Sequence, residues 1–349
     1  MRVLEFKGPW DIGVEERPDP SPGPGEVMLR VSATGICGTD VHGFTGENGR
    51  RHPGQVMGHE TVGHVVAHGP DVSGPAEGEA VTVMPVLGCE QCDACRSDRR
   101  QACAERRVIG VNPEIMAAFA EYLVAPAQAV VRLPAGTREE FGALVEPLAV
   151  GYHAVRRGAC GPGDTVLVVG GGPIGQAAFL GAQRLGASRV VVSEPDANRR
   201  ALCATLGADT LDPSAASGDL AGAVAGVLGG PASLVVDAVG SSGSLADSLA
   251  ASATGATVVL VGMHVPRVEI PAYAVSTGER ALVGSFCYSR EDFDDTAAWV
   301  GTGPPGLAHL VDARVDLDGA ADAFAALGRG ESLASKVLVF PHGVPDPAA

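Results

Sequence analysis

Aromatic side chains are scarce. Trp, Tyr and Phe together make up 4% of the 349 residues, so the cores must be built from Ala, Val and Leu. Hydrophobic residues still reach 46% with only 19% charged, which excludes global disorder. Basic residues are also in deficit: 25 Lys and Arg stand against 41 Asp and Glu, a formal net charge of −16. The arginines between Arg96 and Arg107 are interleaved with Asp98 and Glu105. No basic footprint for nucleic acid results, and a negative surface disfavours anionic lipid. No apolar run is long and unbroken enough for a membrane span, because Val166 to Ala182 carries five glycines, Pro173 and Gln176. The N-terminus, Met1-Arg2-Val3-Leu4-Glu5-Phe6-Lys7, puts charges where a secretion signal needs an apolar core. The expectation is a cytoplasmic chain with no nucleic-acid or membrane partner.

What is abundant is glycine, at 48 residues, and the length favours two domains. Up to about residue 150 the chain reads as β-rich, with Val-rich segments at Val27–Val31, Val62–Ala67, Ala80–Met84 and Tyr122–Ala125 and a surface loop at Pro18–Gly25. From about 160 the pattern alternates. Thr165–Val169, Val190–Val192, Leu234–Val236 and Thr257–Val261 read as continuous apolar strands. Ile174–Leu185, Asp196–Leu206 and Ser242–Ser252 read as helices, the first two stopped by Gly186 and Gly207. Such alternation predicts an α/β parallel sheet covered by helices. After about 287 the alternation is expected to fade, with a helix over Arg290–Val300, a last strand at Lys336–Phe340 and a loose tail from His342 to Ala349.

Gly170-Gly171-Gly172-Pro173-Ile174-Gly175 fits G-x-G-x-x-G between an apolar strand and a helix, the context a dinucleotide site requires. Glycines let the backbone approach a diphosphate, and the helix N-terminus favours its negative charge. Glu194, nineteen residues after Gly175, can accept hydrogen bonds from both ribose hydroxyls and would repel the extra phosphate of NADP. Arg199 pulls the other way. NAD is therefore expected over NADP.

Of eight cysteines, four fall within fifteen residues: Cys89, Cys92, Cys95 and Cys103, a C-x2-C-x2-C-x7-C run. Four thiolates this close suit one structural zinc with no open position. A redox pair would leave two of them unexplained, whereas an iron–sulfur cluster meets the same count. The segments Cys37–His42, Gly58-His59-Glu60 and Glu146-Pro147-Leu148-Ala149 offer Cys, His and carboxylate, the ligand types of a second zinc, a catalytic one that keeps a position open. Beside a dinucleotide site, such an ion equips the chain for alcohol oxidation. Cys160, Cys203 and Trp299 read as packing residues. His64, His68 and His153 lack ligand partners at useful spacing. Phe44 and Phe119 suit either a pocket wall or the core.

Taken together, Gly58-His59-Glu60, the four-cysteine run, Phe119-Ala120-Glu121-Tyr122, Glu146-Pro147-Leu148-Ala149, the glycine turn and Lys336-Val337-Leu338-Val339 resemble the zinc-dependent medium-chain alcohol dehydrogenases over nearly the whole chain. Glu146-Pro147-Leu148 is most similar to the polyol and butanediol branch. Cys37-Gly38-Thr39-Asp40-Val41-His42 also resembles the threonine dehydrogenases. The resemblance implies a GroES-like catalytic domain over 1–152 and 288–349, with its zinc lobe near 88–104, and a Rossmann NAD-binding domain over 153–287. It places the active site in the cleft between them. It implies Cys37 and His59 as catalytic-zinc ligands, with Glu60 or Glu146 as the third and the two carboxylates exchanging during turnover. Thr39 passes the substrate proton on, and His42 carries it towards solvent. Ile174, Glu194, Arg199, Val261, Met263, Ser285 and Phe286 match cofactor-contact positions.

Two positions depart from the pattern. Met116-Ala117-Ala118 stands where the family often has a glycine pair, and Cys287-Tyr288 where the polyol branch has arginine-tyrosine. The second change removes a charged group that would hydrogen-bond a polyol. The expected activity is oxidation of a secondary alcohol (polyol, cyclitol, diol or amino alcohol) to a ketone, with two zinc ions per chain, in a homodimer or homotetramer. A threonine-type amino-alcohol dehydrogenase is the alternative enzyme. A non-catalytic zinc-scaffolded NAD sensor is the alternative of another kind.

Overall fold

Continuous Val and Leu runs bury both faces only in a sheet covered by helices on each side. Val166, Leu167 and Val168 are fully buried at the centre of such a sheet. The structure is a computed structural model and describes residues 1–47, 49–215, 218–331 and 334–345; the end of the expected tail, 346–349, lies outside them. The chain forms two compact units, Met1–Glu146 with Ser289–Ala349, and Pro147–Tyr288.

The second unit holds six parallel strands. Across the sheet they run Asp209–Leu211, Arg189–Ser193, Thr165–Val169, Ala232–Asp237, Ser252–Leu260 and Ala281–Gly284. In chain order that is third, second, first, fourth, fifth, sixth: the doubly wound order, whose direction reverses beside Thr165–Val169. Helices Pro173–Arg184, Ala197–Thr205, Leu220–Leu228 and Ser242–Ala251 lie between the strands. Their starts follow from local chemistry. Pro173 occupies the first turn of one helix, and Asp196, Asp219 and Ser241 accept backbone N–H bonds at the starts of the other three. The strand expected from Thr257 begins earlier, at Ser252, and turns through Gly255 at a φ of 77°.

In the first unit, Glu26–Gly35 is the central strand of a seven-stranded sheet, paired with Glu60–His68, Tyr122–Pro126 and Lys336–Phe340. Beside this sheet a hairpin, Arg2–Gly8 with Asp11–Glu16, also pairs with Gln55–Val56. The few aromatics are concentrated here: Phe44 and Phe119 each lie 5.5 Å from the Phe324 ring. Both are fully buried, so they are core residues. The alternation expected to fade after 287 in fact resumes. Val311–Asp316 and Lys336–Phe340 are parallel neighbours joined through the helix Leu317–Gly328. That helix buries Leu317, Ala320 and Phe324 along one face. Among the described residues, no helix is long and apolar enough to cross a membrane.

Candidate active site and metal centres

The strand pairing that sets Gly35 opposite Glu60 brings the Cys37 and His59 segments together. Cys37 caps the short helix Gly38–Phe44, which also carries Thr39, Asp40 and His42. Gly58 precedes His59 with a φ of 100°, and a Cβ there would press on the Phe119 backbone and Thr34, so only glycine suits the turn. Ligand atoms of Cys37, His59 and Glu60 lie within 4.8 Å of one another. Around them four buried polar atoms have no hydrogen-bond partner: Thr39 Oγ1, Asp40 Oδ1, His59 Nδ1 and Glu60 Oε2. Asp40 Oδ1 and His59 Nδ1 face each other at 3.6 Å, which leaves Thr39 Oγ1 and Glu60 Oε2 as the orphans that mark a missing group. Thiolate, imidazole and carboxylate are the donor set of a zinc ion that keeps an open position, and the residues fit that ion.

Asp40, fully buried, sits 3.6 Å from His59 Nδ1 and 3.6 Å from Arg51, which itself reaches the Val111 carbonyl at 3.0 Å. A carboxylate behind a histidine fixes which ring nitrogen faces the ion. Burial pushes Asp40 up despite His59 and Arg51, which pull it down. Burial opposes the charged form of His59, but Asp40, Cys37 and Glu146 outweigh it and hold the imidazole well above its usual range. Lys336 ion-pairs with Glu60 Oε1 and, despite its burial, is raised by Glu60, Cys37 and Glu146. Glu146, buried in the first turn of the helix Val145–Arg157, does not join the three clustered ligand atoms; its charge reaches His59 and Lys336. His42 is half-exposed, and its Nδ1 lies 2.6 Å from Glu47. Sequence reasoning assigned no part to Lys336 or Arg51. A lone lysine opening an apolar strand, Lys336-Val337-Leu338-Val339-Phe340, was the signal available for the first.

Cys89, Cys92, Cys95 and Cys103 form a second cluster with sulfurs within 4.8 Å of one another. Backbone N–H groups of Gln91 and Cys92 pull Cys89 down to about 7, and burial pushes Cys95 up to about 12. All eight cysteines are free of disulfides.

In the second unit, Gly170 turns at a φ of 95° after the first strand, and a Cβ on Gly175 would collide with the Gly170 carbonyl. The turn is braced by side chains: Glu194 Oε2 accepts from Gly171 N–H at 2.6 Å, and Gln176 donates to the Gly171 carbonyl at 2.8 Å. The other Glu194 oxygen accepts from Asp196 N–H at 2.8 Å. Glu194 is thus bound to the turn itself while keeping spare lone pairs. Arg199 comes within 3.9 Å of where a Gly172 Cβ would lie, and its Nε is buried without a partner. Ile174 is half-buried one residue into the helix after Gly172. Of the residues following the later strands, Val261 is half-buried, Met263 and Phe286 are exposed, and Ser285 Oγ is a further buried orphan.

A doubly wound sheet with a glycine turn at its reversal, joined to a β-rich unit bearing two metal-type clusters, defines a zinc-binding dehydrogenase. Residues 23–135 match the alcohol dehydrogenase GroES-like domain and residues 173–302 the zinc-binding dehydrogenase family. The chain belongs to the zinc-dependent medium-chain alcohol dehydrogenases and is an oxidoreductase of the NAD(P)-linked type. It is 36% identical over 294 residues to the L-galactonate-5-dehydrogenase of Escherichia coli (strain K12), covering 84% of this chain and 85% of that protein. It is 33% identical to the sorbitol dehydrogenase of Macaca fascicularis, covering 95% of this chain and 93% of that protein. A crystal structure from Sinorhizobium meliloti 1021, described as a zinc-binding dehydrogenase bound to NADP, superposes with a TM-score of 0.88 at 32% identity, over 97% of this chain and 99% of that one.

Proposed function

We propose that this enzyme oxidises the secondary alcohol of a polyhydroxylated small molecule, a polyol or sugar acid, to a ketone, with NAD preferred over NADP. Zinc, when bound, would supply a Lewis acid for the substrate oxygen, and NAD would supply the hydride acceptor. Cys37 and His59 hold the ion, with Glu60 or Glu146 as the carboxylate. Thr39 accepts the alcohol proton at Oγ1 and passes it to His42, whose ring Glu47 orients. Cys89, Cys92, Cys95 and Cys103 hold a second, structural zinc. The glycine turn, from Gly170 and Gly172 through Pro173 and Ile174 to Gly175, binds the cofactor diphosphate, and Glu194 the ribose. Arg199, Val261, Met263, Ser285 and Phe286 complete the cofactor contacts. The unit 1–146 with 289–349 acts as the catalytic domain and 147–288 as the cofactor domain.

The observation that carries this reading is the convergence of Cys37, His59 and Glu60, with Glu60 Oε2 and Thr39 Oγ1 buried and unpartnered. Similarity to the galactonate and sorbitol enzymes supports the substrate class. Cys287, in place of a polyol-binding arginine, favours substrates other than sorbitol. The edge strand Ala281–Gly284, with Tyr273 and Ile270 exposed nearby in sequence, supports a homodimer or homotetramer. A coupled screen with NAD and NADP over polyols, sugar acids, cyclitols, diols and amino alcohols, alongside zinc analysis, tests the proposal. It expects two zinc ions per chain and cofactor reduction by a polyhydroxylated alcohol. Turnover of amino alcohols alone would move the assignment to the threonine-type enzyme. A chain that binds NAD with one zinc and reduces it with no alcohol would be a sensor.

A further inference from the structure

Lys336 opens the last strand of the first unit, a run otherwise made of Val, Leu and Phe. Its side chain is 5% exposed, and Glu60, its partner, is fully buried. The ammonium donates to Glu60 Oε1 and lies 3.4 Å from the carbonyl of Ile36, the residue before Cys37. The other carboxylate oxygen, Oε2, has no partner and lies over Gly35, where a Cβ would collide with it. The Glu60 carboxylate, which reaches the Cys37 and His59 ligand atoms, is therefore divided, one oxygen held by a cation and one left without a partner. Burying a lysine is costly unless it is paired, so a packing role alone does not account for its presence in an apolar strand.

We infer that Lys336 is a positioning residue that withholds half of the Glu60 carboxylate from the metal and so keeps the ion loosely held and strongly electrophilic. The inference rests on the reading that Cys37 and His59 hold zinc. With zinc bound, the Cys37 thiolate and Glu60 carry two negative charges against the single positive charge of Lys336. Removing Lys336 frees both oxygens and makes the charge facing a divalent ion more negative by one, so the ion must bind more tightly. A merely structural neighbour predicts the opposite sign, because losing an outer support of a ligand ordinarily weakens metal binding.

The test is zinc release from the purified full-length enzyme to a chromophoric chelator. Cys37→Ser identifies the phase that belongs to this site, since the four-cysteine zinc is untouched by it. Lys336→Met is expected to slow that phase by about tenfold or more. Lys336→Met with Glu60→Gln, which restores the wild-type net charge, is expected to return it to within about threefold of wild type. An unchanged or faster phase in Lys336→Met overturns the inference. Should Lys336→Met fail to fold, the double variant, in which the buried pair is removed together, decides alone: near-wild-type release supports the inference. Release faster by about tenfold would make Glu60 an indispensable ligand and overturn it. If Cys37→Ser retains the full zinc content of wild type, it is the functional reading that fails.

Discussion

Glu194 shows how one side chain can serve the backbone and a ligand at once. Its carboxylate braces Gly171 and Asp196 through their N–H groups, and Arg199 stands across the same turn. Glu194→Ala is expected to lower the NAD-to-NADP ratio of kcat/KM by about tenfold or more, since it removes the repulsion of a ribose phosphate and leaves the arginine. Thermal unfolding should show a loss of about 1–3 kcal/mol from the two unsatisfied N–H groups. An unchanged cofactor ratio would assign Glu194 to the turn alone. Cysteine reactivity is set in the same local way. Burial, aided by Asp164, pushes the half-buried Cys160 up to about 11, and burial, aided by Glu194, does the same to the fully buried Cys203. The neutral thiol therefore prevails at neutral pH, and the thiolate fraction of Cys160 rises as pH approaches that value. Iodoacetamide labelling of Cys160, followed by mass spectrometry, should accelerate about tenfold per pH unit between about pH 8 and 10. A flat profile would contradict it.

At the scale of elements, the glycine turn depends on one close approach. The helix Pro173–Arg184 begins so near the preceding strand that a Cβ on Gly175 would collide with the Gly170 carbonyl. Gly175→Ala should cost more than about 2 kcal/mol and abolish NAD binding, measured by thermal denaturation and fluorescence titration. A stable variant that binds NAD normally would mean the turn relaxes without that contact. The elements most legible in the sequence were those with strong punctuation. Gly186 and Gly207 end their helices in the left-handed conformation, with φ of 84° and 99°. The helix Leu220–Leu228 is built of Leu, Ala, Val and Gly alone, so no charged face marks it out in the sequence.

For the whole molecule, the parallel sheet ends at the strand Ala281–Gly284, where Arg157 Nε donates to the Gly284 carbonyl at 3.4 Å. Among the described residues, Ala281–Gly284 pairs with Ser252–Leu260 on one side only, and Ala281 is exposed. An open edge of this kind invites a second chain unless charge blunts it. Ala281→Lys should shift the enzyme towards monomer in sedimentation velocity while leaving NAD binding intact. A wild-type protein that is already monomeric, or an oligomer indifferent to the charge, would place any subunit contact elsewhere.

The sequence by itself determined what is local: the four cysteines within fifteen residues, the glycine turn between strand and helix, and the caps that start and stop the helices. Each is a matter of neighbours in the chain, where backbone geometry and spacing suffice. Only the tertiary structure decided which distant charges share a buried volume. Lys336 meets Glu60 across 276 residues, Arg51 faces Asp40, and Glu194 turns inward to Gly171. Those partners are chosen by strand register and by the need of every buried charge for a counter-charge or a hydrogen bond, a condition that exists only once the sheets have closed around them.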